Sequence, residues 1–140
     1  MLYVKEHTEA IVLCGTPSDE AGKFLHLLTK DLGLIVAHVR SVRDITSKLR
    51  YSLLDFSHAY VDLVHGKGGW RVTSAVHIKN LYDERKDGGR FFLVIVRISN
   101  LLRRLLNGEE KNETLFNDVL KGFSALSSED FIGDDVHAIE

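Results

Sequence analysis

One cysteine, no long apolar run and almost no net charge are the first things this chain of 140 residues withholds. With Cys14 alone, an intrachain disulfide and a multi-cysteine zinc site are both excluded. Set in TEAIVLCG, Cys14 reads as a small core residue. The run FFLVIV stops against Arg90 and Arg97, far short of a membrane helix. MLYVKEHTEA has neither the apolar stretch nor the cleavage site of a secretory signal, so a cytoplasmic protein without a membrane is expected.

Catalytic signatures are missing as well. Seven histidines occur, but no His-x-x-x-His or Cys-x-x-Cys spacing that would suggest a metal site. His38, His58 and His77 lie in strand-like stretches and read as partly buried structural groups, whereas His65 adjoins a glycine-rich turn and reads as solvated. No G-x-S-x-G elbow is present, and GKGG at 66 to 69 is too short for a phosphate loop. The reading is of a non-enzyme without cofactor or metal.

What is present divides near residue 80. Thr8 to Cys14, Phe24 to Thr29, Gly33 to Val39, Tyr51 to Val64 and Trp70 to Val76 read as strands, the fourth long enough to bend, with HGKGG as a hairpin loop. Five strands with no long helix between them suggest a small antiparallel barrel over 1–80. Phe91, Val94, Ile95, Ile98, Leu101, Leu102 and Leu105 then fall on one side of a helix. A second helix is expected after the N-cap Asn112, carrying Leu115, Phe116, Val119, Leu120, Phe123 and Leu126 on one face. DERKDGG, 83 to 89, reads as the linker. Val136 and Ile139 hint at a further helix, so a helical region over 81–140, cut off within a helix, is expected. The fold class is α+β, a five-stranded barrel followed by helices.

Charge is unevenly placed along this slightly acidic chain. Residues 1–80 hold ten Lys/Arg against eight Asp/Glu, and residues 81–140 eight against twelve. HVRSVRDITSKLR, 38 to 50, concentrates Arg40, Arg43, Lys48 and Arg50 around one acid, Asp44. Clustered cations attract phosphates, and aromatic side chains on a barrel surface can stack bases. Lys67 and Arg71 flank Trp70 and extend the set, with Tyr51, Phe56, Tyr60 and Trp70 as stacking candidates, Tyr51 and Trp70 foremost, although strand alternation turns about half of such rings inward.

EAIVL (9 to 13), TKDLGLIVAHVRSVRDITSKL (29 to 49) and WRVTSA (70 to 75) together resemble the N-terminal part of the bacterial recombination mediator RecO family. Thr29, Lys30 and Gly33 match its turn, Arg43 its loop arginine, and Ser47, Lys48 and Leu49 the end of that loop. Ser41 stands where the family usually has glycine, and ETLFNDVLKGFSAL is similar to a family helix. The resemblance implies an OB-fold barrel that binds single- and double-stranded DNA and anneals strands. It also implies partnership with RecR and the single-stranded DNA-binding protein in loading recombinase at gaps, and a nucleoid-associated location. Two other classes stay open: an interaction module whose basic loop grips an acidic peptide of a repair partner, and an enzyme pairing His38, His58 or His77 with Asp55 or Asp62. Alternation puts those two acids on opposite faces, which counts against the enzyme.

Overall fold

The computed structural model describes residues 4–17, 22–40, 47–82, 88–106 and 108–126, with the backbone alone at 47 and 48. Among them are strands β1 (Val4–Pro17), β2 (Gly22–Thr29) and β3 (Gly33–Arg40), helix α1 (Ser47–Ser52), strands β4 (Ser57–Gly66) and β5 (Gly69–Asn80), and helices α2 (Phe92–Leu105) and α3 (Glu113–Leu126). The strands close a barrel in the order β1-β2-β3-β5-β4. Every pairing is antiparallel except β3 with β5, which is parallel and joins Ala37 to Trp70 and His38 to Arg71. A five-stranded barrel of this kind, helices following, is the expected OB-fold-like architecture.

Alternation builds the barrel's interior. Leu25 and Leu27 of β2 and Ile35, Ala37 and Val39 of β3 point inward, where Ala10, Val12, Ala59, Val61 and Leu63 join them. Leu53, just past α1, completes that core, with Leu49 packed against it. Strand β1 is buried on both sides: Ile11 and Leu13 belong to a second core with Phe56, Leu81, Ile95, Phe116 and Phe123. The helices therefore sit on the outer surface of β1.

Two sequence expectations need correction. Tyr51 to Val64 is not one bent strand, because Tyr51 and Ser52 finish α1 and β4 starts at Ser57. Between them Phe56 has a φ of 66°, in the left-handed region. Its N–H donates to Val12 O at 2.6 Å and its ring is buried in the second core, and this packing holds a conformation that costs about 1–2 kcal/mol. Along α2, Ile95 and Ser99 are buried, while Val94, Leu101 and Leu105 are 42%, 53% and 65% exposed. The apolar face of α2 is wider than the strip of β1 and α3 it meets.

The second helix forms as its N-cap predicts, with the Leu115 N–H donating to Asn112 Oδ1 at 3.0 Å. The segment joining α2 to α3 is tied to the barrel. Leu34 N–H donates to Gly108 O at 3.2 Å, Trp70 Nε1 donates to Glu109 Oε1 at 2.6 Å, and Lys30 pairs with both Glu9 and Glu113. Gly33, at φ 74°, makes room for this segment, since a Cβ there would lie 2.4 Å from Glu110 O. Residues 83–87 of the expected linker, and Val136 and Ile139, lie outside the described residues.

Candidate nucleic-acid interface

The outer surface of β2 and β3 follows from the same alternation that fills the barrel. Phe24 and His26 of β2, and Val36, His38 and Arg40 of β3, point away from the core. Register aligns them in rows: Phe24 faces His38, which faces Arg71 on β5, and His26 faces Val36. Phe24 is 40% exposed and Val36 46%. The Phe24 and His38 rings meet edge to face, with centroids 5.1 Å apart. An aromatic pair is thus bordered by Arg71 in its own row and by Arg40 two residues along β3.

One end of this surface is closed, and the other is left uncovered by the described residues. Leu28 and Leu34 are covered in the second core. Next to them Arg103 of α2 donates toward His26 Nε2 at 3.5 Å. Partial burial, and then the Arg103 charge, push the His26 pKa down, so the imidazole favours its neutral form. Beyond Phe24 and His38 the face runs out to Lys23 and Arg40. There a pocket of about 80 Å³ opens against α1, lined by Lys23, Leu25, Val39, Arg40, Arg50, Leu53 and Leu54. Burial raises the Asp55 carboxyl while the Lys23 charge works against that rise. Arg40 and Arg50 have no ion-pair partner among the described residues.

Of the residues singled out from sequence, Arg40 and Arg50 meet at this pocket, and Arg71 joins the row through His38. Lys67 is exposed in the β4–β5 turn. Tyr51 is 50% exposed, but its ring lies 4.6 Å from His77 and its hydroxyl accepts from Asn80 Nδ2, which sets it beside β5 and apart from Phe24. Trp70 is withdrawn as a stacking platform. It is 8% exposed, within the barrel core, and its indole N–H is spent on Glu109. Arg43 and the Lys48 side chain lie outside the described residues. Cys14, expected in the core, is half-buried and pairs in register with His26.

Lys23, Phe24 and Val36 were not singled out from sequence, and His38 was read as a structural histidine or a catalytic candidate, not as part of a nucleic-acid face. Period two in KFLHL and IVAHVR would have found Phe24, Val36 and His38, since Leu25, Leu27, Ile35, Ala37 and Val39 form the inward set; Lys23 shares the inward parity and is exposed at the end of β2, where the barrel interior opens. Other polar contacts lie elsewhere: Asp62 is held by His7 at 2.5 Å and by Ser74, both of which lower its pKa, Ser74 the more. No group of three or more His, Cys, Asp or Glu able to hold a metal occurs among the described residues. None of the described helices is long and apolar enough to cross a membrane.

A closed five-stranded barrel followed by helices defines an OB-fold-like domain. The resemblance read from the sequence holds: the chain belongs to the recombination protein O N-terminal family, whose model matches residues 1–81. Over 78 residues it is 40% and 38% identical to the DNA repair protein RecO of two strains of Dehalococcoides mccartyi, covering 56% of this chain and 31% of each relative. It is 28% identical over 109 residues to the DNA repair protein RecO of Thermodesulfovibrio yellowstonii, covering 78% of this chain and 44% of that one. The matches span less than half the length of these relatives.

Proposed function

We propose that this chain is a non-enzymatic DNA-binding protein of repair and recombination that holds single-stranded DNA on its β2–β3 face and promotes annealing. The observation that carries this reading is the row Arg71–His38–Phe24 with Arg40 beside it. An exposed ring offers a base a stacking surface, and the guanidiniums on two sides supply counter-charges for its flanking phosphates. No side chain in the row is arranged to read base edges, so the binding is backbone-dominated and strongly salt-dependent. Annealing follows because neutralised phosphates let two strands approach. The relatives' name, DNA repair protein RecO, agrees with this assignment. Family membership adds RecR, the single-stranded DNA-binding protein and double-stranded DNA as proposed partners, with recombinase loading at gaps as the proposed setting.

Fluorescence anisotropy with a labelled single strand, titrated at several salt concentrations, tests it. Binding that weakens linearly in log–log form as salt rises, with loss of affinity in Phe24→Ala, is the expected result. Absence of binding at low salt would overturn the reading.

A further inference from the structure

The pocket beside Arg40 and Arg50 is not needed for phosphate contact alone. Its floor is aliphatic, with Leu54 at the lip still 46% exposed, yet three cations, Lys23, Arg40 and Arg50, surround it. A purely solvated basic patch would not need an apolar floor, and a purely apolar ligand would not need the cations. The combination suits a group that is apolar at its edge and anionic on either side, which describes a nucleotide within a strand.

Size narrows the identity. The volume of about 80 Å³ is roughly half the 150 Å³ of an engineered apolar cavity that takes a whole benzene ring. Only the edge of a base enters. Among the four bases, thymine alone carries a methyl group at an edge, with the acceptor O4 next to it, whereas cytosine presents an N4 donor at that place. A donor would face the guanidiniums of Arg40 and Arg50; an acceptor would be satisfied by them.

Resting on the DNA-binding reading, we infer that this pocket receives the C5-methyl edge of one unstacked thymine, with Lys23, Arg40 and Arg50 holding its O4 and neighbouring phosphates. The chain then prefers thymine-containing single strands although the Phe24 row is indifferent to sequence.

Competition anisotropy on the 140-residue chain tests this, with a labelled thymidine dodecamer displaced by unlabelled dodecamers of thymidine, deoxyuridine or deoxycytidine. Deoxyuridine lacks only the methyl, and losing one buried methyl weakens its competition about four-fold; deoxycytidine competes less well still. In Leu54→Ser, checked for folding by circular dichroism, the thymidine-to-deoxyuridine ratio falls to about one while the salt slope is kept. Equal competition by thymidine and deoxyuridine in the unaltered chain overturns the pocket assignment and leaves the DNA-binding reading standing, whether or not the variant folds. A ratio that persists in folded Leu54→Ser also overturns it. Failure of all three to bind overturns both.

Discussion

Replacing Phe24 separates the stacking contribution from the electrostatic one. Stacking of a base on an aromatic side chain contributes about 1–3 kcal/mol when measured by truncation to alanine. Phe24 is 40% exposed and has His38 against it at a 60° interplanar angle, so one face remains for a base and the lower half of that range applies. Phe24→Ala should therefore weaken single-strand binding by about 1–2 kcal/mol, some five- to thirty-fold. Phe24→Leu keeps much of the apolar cover over β2 but offers no π face, and it should lose nearly as much affinity while melting close to the unaltered chain. Anisotropy titrations between about 50 and 200 mM salt give both affinity and slope. The slope should be unchanged in both variants, because no phosphate contact is removed. Unaltered affinity in a folded Phe24→Ala chain would refute the stacking row, and a slope that fell with the affinity would show the loss to be electrostatic.

Four further outcomes follow from single features. Arg40→Gln removes one phosphate contact, so the log–log salt slope for single strands should drop by about 0.7, read in the same titrations. Gly33→Ala places a Cβ 2.4 Å from Glu110 O at a φ of 74°; thermal unfolding should show a loss of about 2 kcal/mol or more, several degrees in Tm. Phe116 is fully buried beneath the barrel–helix junction, and Phe116→Ala should cost about 3–5 kcal/mol by denaturant titration. Burial pushes the His58 pKa down, against the pull of Glu9 at 3.2 Å. A depressed histidine stabilises the fold above its unfolded pKa, and this is lost as pH falls through the folded one. Stability should thus decline as pH drops below about 6.5, less steeply in His58→Gln.

The barrel was legible in the sequence where two signals agreed. Gly33 to Val39 and Trp70 to Val76 combine β-branched residues with turn residues at their ends, and both are strands. Tyr51 to Val64 failed because composition cannot register a helix end followed by a left-handed Phe56, a geometry held by the Val12 carbonyl and by a core some forty residues away in sequence. Two cations of the basic segment, Arg40 and Arg50, line one pocket, a convergence that their spacing in sequence does not specify. Trp70 misled because its neighbours Lys67 and Arg71 are exposed while its own register partner, Ala37, faces inward. Which aromatic is available is a property of pairing, and pairing between β3 and β5 links residues over thirty positions apart.

The proposed phosphate site depends on the same long-range arrangement, set within a slightly acidic chain. Its carboxylates are not spread evenly. Glu9 and Glu113 are taken up by Lys30, Glu9 also by His58, Asp31 by Lys111, and Glu109 by Trp70, all where the helices and their connection meet the barrel. Among the described residues, the charges at the Phe24 end are Lys23, Arg40, Arg50 and Arg71, with Arg103 of α2 at the border and Asp55 set against Lys23. With screening over about 8 Å at physiological salt, a phosphate on β2–β3 responds to this local set and not to the net charge of -2. The core on the helix side covers Leu28 and Leu34, which on the proposed reading leaves the Phe24 end for a strand, and Glu9, Asp31, Glu109 and Glu113 are paired on that covered side.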